Sequence, residues 1–247
     1  MEGFGKTSIG CYFAKPIFLM SDGETGLETL IDNGLVPDTP HFPPITTWEE
    51  KTDALDFLLN GEHSYGTLVL DTQSGFERIC HEYICRKNYK GDWSGSGFMS
   101  FREGYETSLP EWANFLAELD AIRERRKMAI LGLCHVKISP FKNPEGSDYD
   151  RYTPAMHDKT WSLTHKWADA VFFGNYHTVV EDGTRKDGKA KKGKGKGGRE
   201  RVLYVERTAA FDAKNRNGLT EAIDMGNSGQ EAFNNLRDAI KAGKKVN

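Results

Sequence analysis

Nowhere does this sequence hold the run of about 18 apolar residues that a membrane-spanning helix needs. Its start does not read as a leader either, because MEGFGKTSIG goes straight into glycines and a lysine. Cysteine is scarce, with four in all. Cys11 and Cys134 sit in apolar surroundings, the usual place for a buried thiol. Cys80-His81 with Cys85 hints at a metal site, but no second Cys/His pair has zinc spacing, and plain helix positions explain them as well. No internal repeat and no domain boundary is visible. These shortages argue against a spanning helix, a disulfide scaffold and a zinc module. They lead us to expect a reduced, cytoplasmic protein with no membrane contact.

The chain has 247 residues, 28% of them charged and 38% hydrophobic, which suits a globular protein of one large α/β domain or two small ones. A net charge of −3 hides an asymmetry. Arg185 to Arg201, RKDGKAKKGKGKGGRER, sets nine Lys/Arg against Asp187 and Glu200, a local +7 that leaves −10 on the rest. Its composition cannot build a core, so a flexible hairpin loop over 185–201 is expected, either solvated or touching a phosphate backbone.

The pattern of elements alternates. Lys6–Ala14 reads as a short helix and PIFLMS (16–21) as a buried strand. Thr47-Trp48-Glu49-Glu50 is a capping box that opens a helix through Leu59. TLVL (67–70) is a second buried strand ending at Asp71, and Ser74 to about Tyr89 is an amphipathic helix. Lys90–Glu106 reads as a loop, and Ser108-Leu109-Pro110-Glu111 as a second capping box. MAILGLCHV (128–136) is a third buried strand, followed by a long polar loop over 137–158. A helix over 160–168, strands over 170–180 and 201–207, and a C-terminal helix within 228–247 complete the chain. Strands alternating with helices predict a single α/β domain over 1–247 with a mostly parallel sheet covered on both faces.

Chemistry concentrates at a few positions. Gly3-Phe4-Gly5-Lys6-Thr7-Ser8 matches the back half of the phosphate-loop pattern G-x-x-x-x-G-K-[ST]. Such a loop binds phosphate through converging amides; Lys6 would reach the outer phosphates and Thr7 would hold Mg²⁺. Asp71, at the end of a buried strand about 65 residues on, is where a magnesium-anchoring acid is needed, though it could also cap a helix. Glu24, just after PIFLMS, can polarise an attacking water, although Asp22-Gly23 is also a good turn. His135, at the end of the third strand, can face a γ-phosphate or serve the core edge.

In this order the motifs resemble the RecA-type recombinase fold, from Met1 to about Gly218. F-L-M-S-D-G-E is similar to that family's second core strand, which carries the catalytic glutamate, here Glu24. L-V-L-D-T resembles its Walker B strand, and His135 stands at its sensor position. The resemblance implies ATP and Mg²⁺ as ligands. It places two single-stranded DNA loops at 90–106 and 137–158, with Trp93, Phe98, Phe101 and Arg102 in the first and Phe141, Lys142, Arg151 and Tyr152 in the second. Aromatic faces and cations suit strand binding, but such loops can equally pack their own aromatics. Ala213-Lys214-Asn215-Arg216-Asn217-Gly218 is similar to the K-x-R-N-G run of hexameric RecA-fold helicases, which implies that Lys214 and Arg216 complete a neighbour's site in a ring or filament. The overall look is similar to the phage-encoded compact RecA-like ATPases. That implies recombination work on single-stranded DNA, with a single-strand-binding protein, in an infected or bacterial cell. A regulatory or loader ATPase with a protein partner, and a RecA-fold helicase, are the alternatives. The family's first strand and first loop glycine have no counterpart from Met1 onward, so the expectation is an upstream segment, a gap in the sheet, or a substitute strand.

Overall fold

PIFLM and TLVLD are short, apolar and free of glycine, and both form strands buried on two faces. A computed structural model of the chain describes residues 3–184 and 190–243. It divides into two units, Lys6–Asp169 and Met1–Gly5 with Ala170–Asn247. In the first, the order is α1 (Lys6–Gly10), β1 (Pro16–Met20), α2 (Gly26–Asp32), α3 (Trp48–Asn60), β2 (Thr67–Asp71), α4 (Gln73–Tyr89), a 3₁₀ turn (Ser100–Arg102), α5 (Glu103–Arg126), β3 (Ala129–Gly132), β4 (Val136–Phe141), β5 (Tyr149–Pro154) and α6 (Asp158–Trp167).

β1, β2 and β3 pair in parallel in that order. Alternation sends Ile17, Leu19, Leu68 and Leu70 into a core shared with α3, α4 and α5. The intervening Phe18, Met20 and Val69 join Cys11 and Leu27 on the opposite face. Helices thus cover both faces, which is why the strands read as continuous apolar runs. Thr47 closes the capping box predicted for α3: its side chain accepts from the Glu50 amide, and Glu50 accepts from the Thr47 amide. No helix among the described residues is long and apolar enough to cross a membrane.

Several expectations need correction. The first helix stops at Gly10 rather than Ala14. The third strand is only Ala129–Gly132 and half exposed, because β3 is the edge of the sheet. The 90–106 segment is not loop throughout, since α5 already begins at Glu103. Ser108 is therefore no cap; it lies inside α5, and its hydroxyl donates to the Gly104 carbonyl one turn back. The 137–158 segment is a β4–β5 hairpin, with Val136 opposite Pro154 and Phe141 opposite Tyr149.

In the second unit, β6 (Phe173–Thr184), β7 (Ala190–Tyr204) and β8 (Ile223–Asp224) form an antiparallel sheet in that order, followed by α7 (Gly229–Gly243). Parallel pairing in the described residues belongs to the first unit, in β1–β3 and in the isolated bridges Phe18–His41 and Ser21–Ile45 along the other side of β1. The basic segment is strand from Ala190 on, paired with β6 as far as Thr184 opposite Ala190. A ladder needs only backbone donors and acceptors, which glycine and lysine supply as well as other residues. The expectations for 185–189 and 244–247 lie outside the described residues. Phe173 stacks on Phe211 at 4.4 Å between ring centres and begins a small core with Tyr204.

Candidate functional site

Parallel strands in register bring their carboxyl ends to one level. Met20 lies opposite Asp71, and Leu70 opposite Gly132. The residues just past those ends make one polar cluster. Thr7, at the start of α1, donates its hydroxyl to Asp71 Oδ2 at 2.8 Å. The next residue, Thr72, joined to Asp71 by a cis peptide, donates its hydroxyl to Glu24 Oε1 at 3.1 Å. His135 Nε2 donates to the same Glu24 oxygen at 2.9 Å. Lys6, Thr7, Asp71, Glu24 and His135, scattered over about half the chain, thus share one electrostatic neighbourhood.

Asp71 is buried, at 3% exposure. Burial pushes its carboxyl above the usual carboxylate range, and the Glu24 charge pushes the same way. The Thr7 hydrogen bond and the Lys6 and His135 charges oppose this. An oxygen pair of one carboxylate and one hydroxyl suits magnesium, which keeps waters and takes substrate phosphate oxygens rather than needing an all-protein cage. Among the described residues no group of three His, Cys, Asp or Glu could hold a metal alone. Thr7 and Asp71 are the residues that would hold the ion. When bound, it would neutralise phosphate charge.

Sequence reasoning passed over Ser21. It is fully buried, and its hydroxyl accepts from the Thr72 amide at 3.2 Å, fixing the residue that holds Glu24. A buried serine directly after an apolar strand was the available signal. Asp22 points away from the cluster, toward the Arg78 guanidinium at 3.4 Å. His135 also reaches outward: its carbonyl accepts from the Ala155 amide at 2.8 Å, and Val136 begins β4.

The front of the phosphate-loop run, Gly3, Phe4 and Gly5, belongs to the second unit. Gly3 and Gly5 hold φ of +67° and +95°, conformations that only glycine adopts easily. Lys6, Thr7 and Ser8 continue into α1 in the first unit. Lys214 and Arg216 lie in the second unit, on a loop organised by Asn215. The Asn215 amide donates to the Val205 and Leu219 carbonyls at 3.0 Å each, and its oxygen accepts from the Asn217 and Leu219 amides. Backbone bonds between Lys214 and Val171 anchor the loop start.

Two residues assigned to DNA loops are placed differently. Phe98 is fully buried among Ile84, Cys85, Tyr89 and Tyr105, so its ring cannot stack a base. Arg151 is 8% exposed with its guanidinium over the Phe141 ring at 5.4 Å, which pairs these two with each other. Trp93, Phe101 and Arg102 remain exposed. Lys142 is exposed and ion-paired with Asp148, and Tyr152 is half-buried.

Residues 1–217 match the family model described as AAA domain. No curated protein matches the chain. A lysine and a threonine after a glycine run, with an acid at the end of a buried strand, suit such a nucleotide-binding domain, and the matched span contains Lys6, Thr7 and Asp71. The chain belongs to the AAA domain family of P-loop ATPases.

Proposed function

We propose that this ATPase is RecA-like and works on single-stranded DNA in recombination of the phage type, as a self-assembling ring or filament. The observation that carries the reading is the Thr7–Asp71 and Glu24–Thr72–His135 cluster at the ends of β1–β3. Both bonds to Glu24 fall on Oε1, which leaves Oε2 to accept a proton from a water aimed at the γ-phosphate. Lys6 balances charge on the outer phosphates, and the amides of Gly3 to Gly5 cradle them. His135 would act as the sensor, its hold on Glu24 changing when the γ-phosphate is lost, and its backbone runs straight into the β4–β5 hairpin.

Exposed Trp93, Phe101 and Arg102, with Lys142 and Tyr152 on the hairpin, supply faces and cations for an unpaired strand. Arg216, exposed on a loop stiffened by Asn215, suits a charge offered to a neighbouring subunit's phosphates, with Lys214 beside it. The open edge of β3 is the position for a further parallel strand, as a RecA-like sheet would have. A single-strand-binding protein is the expected companion, and the cytoplasm of a bacterial or infected cell the expected setting.

The test is ATP turnover with and without single-stranded DNA, alongside Lys6→Ala. Turnover should rise with DNA and vanish in the variant. Turnover indifferent to DNA would favour a loader or regulatory ATPase, and tail-dependent duplex unwinding a helicase. Mixing Lys214→Ala or Arg216→Ala chains with Lys6→Ala chains should restore part of the lost activity; an inert mixture would sink the assignment in trans.

A further inference from the structure

Arg201, the last residue of the basic segment, does not behave as a surface cation. It sits on β7 and its side chain turns onto the glycine run at the chain's start. Nη1 donates to the Phe4 carbonyl at 3.1 Å, while Nη2 and Nε donate to the Gly226 carbonyl at 2.8 and 3.3 Å. Gly226 is itself tied back to this strand, because the neighbouring Met225 amide donates to the Arg201 carbonyl at 2.9 Å. A Cβ on Gly5 would run into the same guanidinium. Beside it on β6, the Tyr176 hydroxyl donates to the Gly3 carbonyl at 2.8 Å. Phe4 is buried at 4% exposure, edge-on to Tyr176 and packed where Gly174 has no side chain. Three consecutive residues of the run are thus fixed by one sheet: two through their carbonyls and one through contact with a cation.

We propose that Arg201, assisted by Tyr176, is a positioning residue for the phosphate loop. This rests on the nucleotide-binding reading of the run. A glycine run samples many conformations unless something fixes it, and amides bind phosphate well only when they already converge. Carbonyls caught by Arg201 and Tyr176 face the sheet. In a chain held at its carbonyls, the amides are held too, and the guanidinium packs against Gly5 where a side chain would collide with it. The fork matters as much as the charge, because its planar donors meet two carbonyls on separate segments in a fixed geometry that a flexible ammonium does not pre-organise.

The experiment compares Arg201→Ala, Arg201→Lys and Tyr176→Phe with the native chain in two measurements. Amide hydrogen exchange across residues 3–5, without nucleotide, should quicken in all three. The dissociation constant for a fluorescent ATP analogue should rise about tenfold or more in Arg201→Ala, nearly as much in Arg201→Lys, and less in Tyr176→Phe, with a larger effect on KM than on kcat. Tyr176→Phe removes one hydroxyl, so it keeps the test open if Arg201→Ala fails to fold. Unchanged exchange overturns the clamp whatever the binding result. Full recovery in Arg201→Lys overturns the fork. Weakened single-stranded DNA binding with unaltered exchange would return Arg201 to the basic segment's surface role. Faster exchange in a native chain that binds no analogue would keep the clamp and remove the nucleotide reading instead.

Discussion

Replacing Asp71 with asparagine should make the protein more stable and less active. The carboxyl is buried, at 3% exposure, and burial holds its pKa above the usual carboxylate range, with Glu24 adding to the effect. A group whose pKa is higher folded than unfolded favours folding while protonated. That contribution is complete below the unfolded-chain pKa, about 3.9 for aspartate, and is lost as pH rises through the folded-state value. At neutral pH the native chain therefore carries a desolvated charge that asparagine lacks. The Thr7 hydroxyl keeps an acceptor in the asparagine Oδ1, and the repulsion between Glu24 and the native carboxylate disappears. A gain of about 1–2 kcal/mol follows, typical of relieving one functional strain. For a domain of this size that is a rise of about 2–8 °C in Tm. Thermal melts without Mg²⁺ or nucleotide, from pH 4 to pH 8, measure it. The variant's advantage should grow with pH and shrink in acid, where native Asp71 is neutral. A variant that melts below the native chain at pH 8, or an advantage flat with pH, would show that Asp71 is not a desolvated charge at the site.

Three further outcomes are expected. Glu24→Gln should keep nucleotide binding and slow single-turnover hydrolysis by about 10²–10⁴-fold, and an unchanged rate would remove Glu24 from the chemistry. Phe98→Ala should cost about 3–5 kcal/mol in urea melts. Phe101→Ala should stay within about 0.5 kcal/mol there yet weaken single-stranded DNA binding by about 1–3 kcal/mol in anisotropy titrations; matching melts would contradict the burial difference between them. Lys51, buried under Trp48 and Phe115 and ion-paired with Glu118 at 2.8 Å, should tolerate methionine better than alanine by about 1–2 kcal/mol. Glu118 is 39% exposed, so water takes over its charge, while alanine leaves an unfilled channel.

Local rules made much of the first unit readable. β1 and β2 announced themselves because strands covered on both faces must be apolar throughout, and α3 because Thr47 and Glu50 bond reciprocally within four residues. The same rule failed at Ser108, where Ser-x-x-Glu fits a cap equally well inside a helix that has already started. The hairpin was missed because the segment is polar and read as loop; its Pro140 and Pro154 sit on strands with open edges, where a missing amide donor is tolerated. Thr7, Asp71, Glu24 and His135 were legible because each is a polar residue at the edge of an apolar element. Arg201 and Tyr176 were not, because their partners in the glycine run are backbone carbonyls 197 and 173 positions away, and a carbonyl leaves no mark in a sequence.

The convergence of the site follows from the sheet rather than from any one motif. Parallel strands release their chains at the same end, so whatever follows β1, β2 and β3 arrives on one side. Register then decides the level. With Met20 opposite Asp71, Glu24 has only a four-residue turn in which to come back to Thr72, and the Ser21 hydroxyl fixes that turn by holding the Thr72 amide. With Leu70 opposite Gly132, His135 overshoots β3 by three residues and reaches the same oxygen from the other side. A slip of one residue in either pairing would exchange the side chains packed in the two cores and carry the glutamate or histidine out of reach together. The apolar register that stabilises the fold is therefore also what sets the distances of the chemistry, so core substitutions that shift β2 should lower turnover before they lower stability.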